Sequence, residues 1–277
     1  MKNTALNIIT SFRLNNVFIA FICCLISLHK LEVSFFNINA LIGLTIVLLL
    51  MMGMNLFNDI FDIQTDSINR PNRTLVRYPY LKNYFIILGL VLLICAIILS
   101  FLLNYKATII VLFTVFILIA YTPVFKKMLF FGNIIIAFFL GLVFIFIEVA
   151  TIQTFSTLLI PAIIAFSISL IREMIKDIED YKGDKANHIY TAAVYFGVKK
   201  TSYLSVSIIS FFIISFSYLL YYTSNLYFHI AVFFLVFFPL FYLIFFLIKS
   251  PTAKACSKAA NLLKKITILG LLIIYIM

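Results

Sequence analysis

Long apolar stretches broken by short polar segments run through this chain from Val17 to its last residue. A helix needs roughly 17 to 25 such residues to cross a bilayer. Stretches of that kind fall at about 14 to 29, 38 to 58, 83 to 103, 107 to 123 and 129 to 149. Four more follow at about 157 to 176, 200 to 222, 227 to 248 and 262 to 277. The pattern predicts an all-α, polytopic membrane protein of about nine transmembrane helices, because a spanning segment must satisfy its own backbone hydrogen bonds. Lys2 and Arg13 ahead of the apolar run Val17–Leu28 imitate a signal peptide, but no small-x-small cleavage site follows, so this run is read as the first span.

Composition agrees. The chain has 277 residues, is 64% hydrophobic and 11% charged, and its mean hydropathy is +1.16, which excludes a water-soluble globule. Its 21 Lys and Arg against 10 Asp and Glu give a net charge of +11, which in a soluble protein would suggest nucleic acid. Here topology explains it without a nucleic-acid partner: with nine spans, every basic residue except Lys30 and Lys106 falls on one side of the membrane. Basic residues collect in cytoplasmic loops, so the N-terminus and these loops are expected on the cytoplasmic face of an inner or plasma membrane. The four cysteines, Cys23 and Cys24 among them, lie in or beside apolar runs without metal spacing and read as reduced small hydrophobes.

All the acidic residues except Glu32 and Glu148 fall in two clusters, each where a predicted span runs into a loop expected on the cytoplasmic side. Asp59-Ile60-Phe61-Asp62-Ile63-Gln64-Thr65-Asp66 and Asp177-Ile178-Glu179-Asp180-Tyr181-Lys182-Gly183-Asp184 share the pattern D-I-x-D-x-x-x-D. An even number of predicted spans separates them, the arrangement of a parallel internal repeat within a single domain over residues 1–277, with motifs at 55–73 and 172–185. At about 100° per residue, Asn55, Asn58, Asp59, Asp62 and Asp66 share one helix face if the helix continues that far. Glu173, Asp177, Asp180 and Asp184 share a narrower face unless Gly183 ends the helix first. Oxygen ligands without His or Cys suit a hard divalent cation, and Mg²⁺ takes one or two carboxylates together with substrate phosphates. Arg70 and Arg73 after the first cluster, and Lys182 and Lys185 within and after the second, suit phosphate oxygens. Tyr121, Lys126 and Lys127 occupy a third loop on the same predicted side. Glu148, near the outer end of the fifth predicted span, is expected to reach lipid headgroups.

These residues resemble the UbiA-type intramembrane aromatic and lipid prenyltransferases. The family's N-D-x-x-D-x-x-x-D signature appears as Asn58 to Asp66, with R-P-x-R following as Arg70-Pro71-Asn72-Arg73. Its D-x-x-x-D signature is matched by Asp180 and Asp184, preceded by Arg172, Glu173, Lys176 and Asp177. Its Tyr-x-x-x-x-Lys loop corresponds to Tyr121 and Lys126, with Gly132-Asn133 after it; Thr74 departs from the proline many members carry. The resemblance implies about nine helices around a central cavity, cytoplasmic loops over the active site, and Mg²⁺ bridging both aspartate motifs to a prenyl diphosphate. It implies metal ligation by Asn58, Asp62 and Asp66 and by Asp180 and Asp184, with Asp59 and Asp177 as ligands or orienting groups. Asn55, Asn58, Arg70, Arg73, Arg172, Lys176 and Lys182 are then substrate-binding candidates, and Tyr121 and Lys126 join the aspartates in the chemistry.

The wording from Arg172 to Asp184 is most similar to the branch that makes geranylgeranylated glycerol phosphates, so the best acceptor is a (geranylgeranyl)glycerol phosphate. An aromatic acceptor of quinone biosynthesis, hydroxybenzoate or naphthoate, is the alternative. Membrane lipids are expected around the protein, and no feature calls for an obligate protein partner. A cation-coupled carrier is the competing class; its acids generally lie at the bilayer midplane, whereas these lie at helix ends beside arginines.

Overall fold

The computed structural model describes residues 8–121, 125, 128–221 and 225–276, and among them there are helices and turns but no strand. Two compact units are distinguished, one of Met1–Phe125 with Phe139–Ala162, the other of Lys126–Phe138 with Ile163–Met277.

In the first unit α1 spans Leu14–Lys30, α2 Ile38–Phe61, α3 Ile63–Asn69 and α4 Thr74–Arg77. After a 3₁₀ turn at Pro79–Leu81 come α5 at Lys82–Ser100, α6 at Tyr105–Tyr121 and α7 at Phe131–Ile152, whose later turns belong to this unit. The Asn37 side chain starts α2 by accepting from the amides of Asn39 and Ala40 at 2.9 and 3.3 Å, satisfying donors that a helix N-terminus leaves open. Glycines let α2 and α5 approach closely: a Cβ on Gly89 would stand 2.9 Å from the Phe57 ring, and one on Gly53 3.0 Å from Leu93. At the C-terminal end of α2, buried Leu56, Ile60, Leu75, Leu81 and Phe85 form one core that ties α2, α4, the 3₁₀ turn and α5 together. That core braces the polar segment between Asp62 and Arg73.

At the other end of this unit Glu148 is fully buried and does not reach headgroups as expected. Its carboxylate accepts from Thr154 Oγ1 at 2.6 Å and from the backbone amides of Ser156, Thr157 and Leu158, each at 2.9 Å. The reason is local: those amides lie just ahead of the next helix, where donors lack intrahelical partners and favour a negative charge.

In the second unit α8 (Leu159–Ala186) continues through Gly183 to Ala186, so Gly183 does not terminate it, and Asp184 stays in helical register with Asp177 and Asp180. α9 (Ala192–Phe196) turns into α10 (Val198–Tyr221) at Gly197, whose φ of +83° favours glycine. Thr201 bridges the turn, donating to the carbonyl of Ala192 at 2.9 Å. The next run consists of α11 (Leu226–Val232), a π turn at Phe233–Phe237 and α12 (Phe238–Lys249). Pro239 offers no N–H to the Leu235 carbonyl, which accounts for the widened turn before it. α13 spans Ala253–Ile276.

Among the described residues six helices are long and apolar enough to cross a membrane: Ile38–Phe61, Pro79–Ser100, Phe131–Ile152, Val198–Tyr221, Leu226–Lys249 and Cys256–Ile276. α1 and α6 are apolar but shorter, and α8 carries charges from Arg172 onward. Length and composition among the described residues thus give six candidate spans, and the expected count of about nine is not confirmed by them. Exposed side chains such as Phe116, Phe211 and Ile214 face outward from these helices, which suits a lipid solvent.

Candidate functional site

The first acidic motif lies where α2 gives way to α3. Asp62 is both the last cap of α2 and the first of α3, with φ −90° and ψ 5°. The hydrogen-bond ladder crosses the junction, Asp62 N donating to Asn58 O at 2.9 Å and Asp66 N to Asp62 O at 2.7 Å. The expected single helix face thus extends to Phe61, and Asp66 sits on the short helix beyond the break.

Each side chain of this motif has a distinct setting. Asn55 is buried and its Nδ2 donates to Phe12 O at 2.8 Å, which anchors the segment ahead of α1. Asp59, 2% exposed, receives two guanidinium groups on one oxygen: Arg13 Nη2 at 2.7 Å and Arg73 Nη1 at 3.0 Å. Its Oδ2 is buried and has no hydrogen-bond partner among the described residues. Asp66, also buried, lies 3.5 Å from Arg70 Nη1 and 3.9 Å from Arg73 Nε. Burial pushes the Asp66 carboxyl above its ordinary value, Arg73 opposes that, and the negative charge of Asp62 adds to it.

Arg13 was missed as a site residue, having counted only towards topology. It stands at the cap of α1 with a left-handed φ of 52° and ψ of 59°, an uncommon backbone for a residue with a side chain. The one signal in the sequence is an isolated Arg just ahead of an apolar run.

The second motif occupies the last turns of α8. Glu173 accepts from Arg172 Nη1 at 2.7 Å and from Lys176 Nζ at 3.3 Å, so both expected substrate-binding cations are paired locally. Asp177 accepts from Asn133 Nδ2 at 2.9 Å, which explains the polar residue after Gly132. Asp184 is buried and Asp180 partly buried, on the same face as Asp177, while Glu179 points elsewhere and accepts from Ser257 at 3.0 Å. Lys182 is exposed. Tyr121 closes α6, partly buried; Lys126 and Lys127 lie outside the described residues.

Among the described residues no three Asp, Glu, His or Cys side chains form a ready-made metal cage. The donors fit Mg²⁺ nonetheless: Asn58, Asp62 and Asp66 offer oxygen alone, and that ion keeps few protein ligands and completes its shell with water and phosphate. Beside them the Oδ2 of Asp59 is buried without a hydrogen-bond partner among the described residues, so it too is an oxygen open to an ion or its water.

Residues 17–266 match the profile of the UbiA prenyltransferase family. Digeranylgeranylglyceryl phosphate synthase of Sulfurisphaera tokodaii is 36% identical over 205 residues, covering 72% of each chain. The enzyme of the same name from Saccharolobus solfataricus is 32% identical over 239 residues, covering 84% of this chain and 82% of its own. Among solved structures, one concerning digeranylgeranylglyceryl phosphate synthase in membranes superposes with a TM-score of 0.72 at 28% identity, over 100% of this chain and 98% of that one. A UbiA homologue from Archaeoglobus fulgidus bound to DMAPP and Mg²⁺ shares the fold, with a TM-score of 0.61 at 12% identity over 98% and 100% of the two chains.

Proposed function

Since this chain belongs to the UbiA prenyltransferase family, we propose that its donor is geranylgeranyl diphosphate and its acceptor the free hydroxyl of a geranylgeranylglyceryl phosphate, with Mg²⁺ as the required ion. Relatives identical to it at about a third of the aligned residues carry the name of that reaction. The observation that supports this reading best is the arginine-braced acidic end of α2: two guanidinium groups on Asp59, one of them reaching Asp66, with oxygen ligands alone beside them.

An allylic diphosphate reacts as its C1–O bond breaks and the diphosphate leaves with the electron pair. The acceptor oxygen then bonds to C1 and gives its proton to water or to the departing diphosphate. Stabilising the departing charge is the main demand. When bound, Mg²⁺ supplies Lewis-acid stabilisation of that charge. We assign Asn58, Asp62 and Asp66, together with Asp180 and Asp184, to holding it. Arg70 and Arg73 add charge-assisted bonds to phosphate oxygens, Arg73 being aimed by its contact with Asp59. Lys126 and Lys182 are assigned to the same anion. Asp177, fixed by Asn133, orients the turn of α8 from which Asp180 projects. Tyr121 offers an aromatic face to the developing allylic cation.

The bias of basic residues between loops supports a cytoplasmic N-terminus and cytoplasmic motifs. The test is mass spectrometry of products from purified protein given geranylgeranyl diphosphate, Mg²⁺ and a choice of geranylgeranylglyceryl phosphate, hydroxybenzoate or naphthoate. The expected product is the doubly prenylated glycerol phosphate. A prenylated aromatic acid in its place overturns the acceptor assignment.

A further inference from the structure

The last third of the chain is cationic and has no acid of its own. From Lys185 to Met277 it carries eight lysines and no Asp or Glu. The carboxylates of the second unit all lie on α8, where Glu173 already takes Arg172 and Lys176, Asp177 takes Asn133, and Glu179 takes Ser257. Topology alone accounts for lysines in a loop. Three of these eight have a more specific setting.

α10 and α12 pack against each other in opposite directions, and one hydrogen bond fixes their level: Ser202 Oγ donates to the Leu247 carbonyl at 3.2 Å, across 45 residues of sequence. Lys199 and Lys200 lie just before Ser202, and Lys249 just after Leu247, so at ~1.5 Å per residue all three stand roughly 3 to 5 Å beyond that bond, at one end of the helix pair. They are exposed, and they sit at the start of one candidate span, Val198–Tyr221, and at the end of the other, Leu226–Lys249. That is headgroup level. Below the cations lie exposed rings: Tyr203, one turn further into α10 on the face of Lys199, and Phe245, one turn back in α12, with Lys249 Nζ 5.7 Å from its ring centre. Deeper still the exposed residues include Phe211 and Phe241. Cation, ring and apolar surface follow one another inward on both helices, in the order of a bilayer's phosphates, interface and acyl chains.

We infer that the paired ends of α10 and α12 bind an anionic membrane phospholipid, its phosphate drawn to Lys199, Lys200 and Lys249 and its acyl chains running past Tyr203 and Phe245 along the apolar surface below. The inference does not depend on the donor or acceptor reading above; it needs only a chain that spans the membrane. An acidic soluble protein would satisfy the lysines but leave the rings unused, since these lie on spanning helices. Each lysine at a membrane surface strengthens attraction to anionic lipid by about fivefold. Three on one edge therefore make a preference large enough to measure.

The experiment is native mass spectrometry of delipidated full-length protein in detergent, titrated with phosphatidylglycerol or with phosphatidylcholine. Wild type is expected to bind the anionic lipid more tightly. Lys199→Gln, Lys200→Gln and Lys249→Gln should each weaken phosphatidylglycerol binding by about fivefold, and the triple variant by about 100-fold, with phosphatidylcholine binding unchanged. Lys82→Gln removes the same charge from an exposed position in the first unit and should alter neither. Unfolding temperatures measured before lipid is added show which variants are folded, and the single variants carry the test if the triple one is not. Equal binding of the two lipids by wild type overturns the inference and leaves the lysines to an acidic protein or to topology alone. A loss in Lys82→Gln as large as in the three single variants overturns it too, because overall charge then explains the effect.

Discussion

Arg13, the residue that caps α1, donates to Asp59 near the end of α2 across 2.7 Å, although 46 residues separate them. Arg73 donates to the same carboxylate oxygen from a third element, 3.0 Å away. One buried carboxylate therefore fixes two guanidinium groups at the mouth of the first motif. Each Arg limits the other's freedom, and removing either leaves Asp59 buried with half its compensation.

Arg13→Ala is expected to cost about 3 kcal/mol of stability, the usual consequence of stripping one partner from a buried ion pair. It should also raise the KM for prenyl diphosphate, because Arg73 is then free to reorient. Arg13→Lys should recover stability in part but not the KM, since a point charge does not reproduce the planar fork. Thermal unfolding in detergent beside steady-state kinetics checks both.

Glu148 predicts the opposite separation. Its carboxylate takes one hydroxyl and three amide donors in a fully buried setting. Glu148→Ala is expected to destabilise the protein by roughly 3 kcal/mol, since buried donors lose their acceptor. The KM for prenyl diphosphate should not change in whatever fraction remains folded. A changed KM with unchanged unfolding temperature would contradict this structural role.

Much of this was legible from pattern alone. The apolar runs forecast the helices closely because each element must bury or expose apolar surface along its whole length, and the two D-I-x-D-x-x-x-D stretches stood out against so few acids. Three particulars were not. Glu148 reads in sequence as a lone interfacial acid, because the amides that claim it belong to a loop whose path is not encoded in residue types. Arg13 reads as a topology determinant, because its partner lies 46 residues on, at the far end of α2. Gly183 reads as a helix stop, whereas α8 continues through it: its Cα is buried, and Asn187 Nδ2 donates to its carbonyl at 2.8 Å. At Glu148 and Arg13 contacts distant in sequence outweighed local preference, and at Gly183 a local bond from Asn187 accompanies the continued helix.

Asp66 gives a pH prediction. Its folded carboxyl titrates above its ordinary value, first because it is buried. A group whose folded pKa is raised binds its proton more tightly in the folded state, so its contribution to stability is full below the unfolded value and is lost as pH rises through the folded one. Without Mg²⁺, Asp66→Asn should therefore unfold at a higher temperature than wild type near neutrality, with the gap closing as pH falls below the ordinary carboxylate range. The same variant should lose turnover. A wild type that outlasts Asp66→Asn at neutral pH without metal would contradict this balance.

The central claim is that both acidic motifs serve the departure of one diphosphate. The most direct test is turnover of labelled geranylgeranyl diphosphate by wild type, Asp62→Asn and Asp180→Asn, each shown to be folded, with Mg²⁺ and with EDTA. The account predicts Mg²⁺-dependent product from the wild type and a loss of about 10²- to 10³-fold or more in either single variant, the scale expected when charge stabilisation at a transition state is removed. Full activity in EDTA, or in either variant, would contradict it.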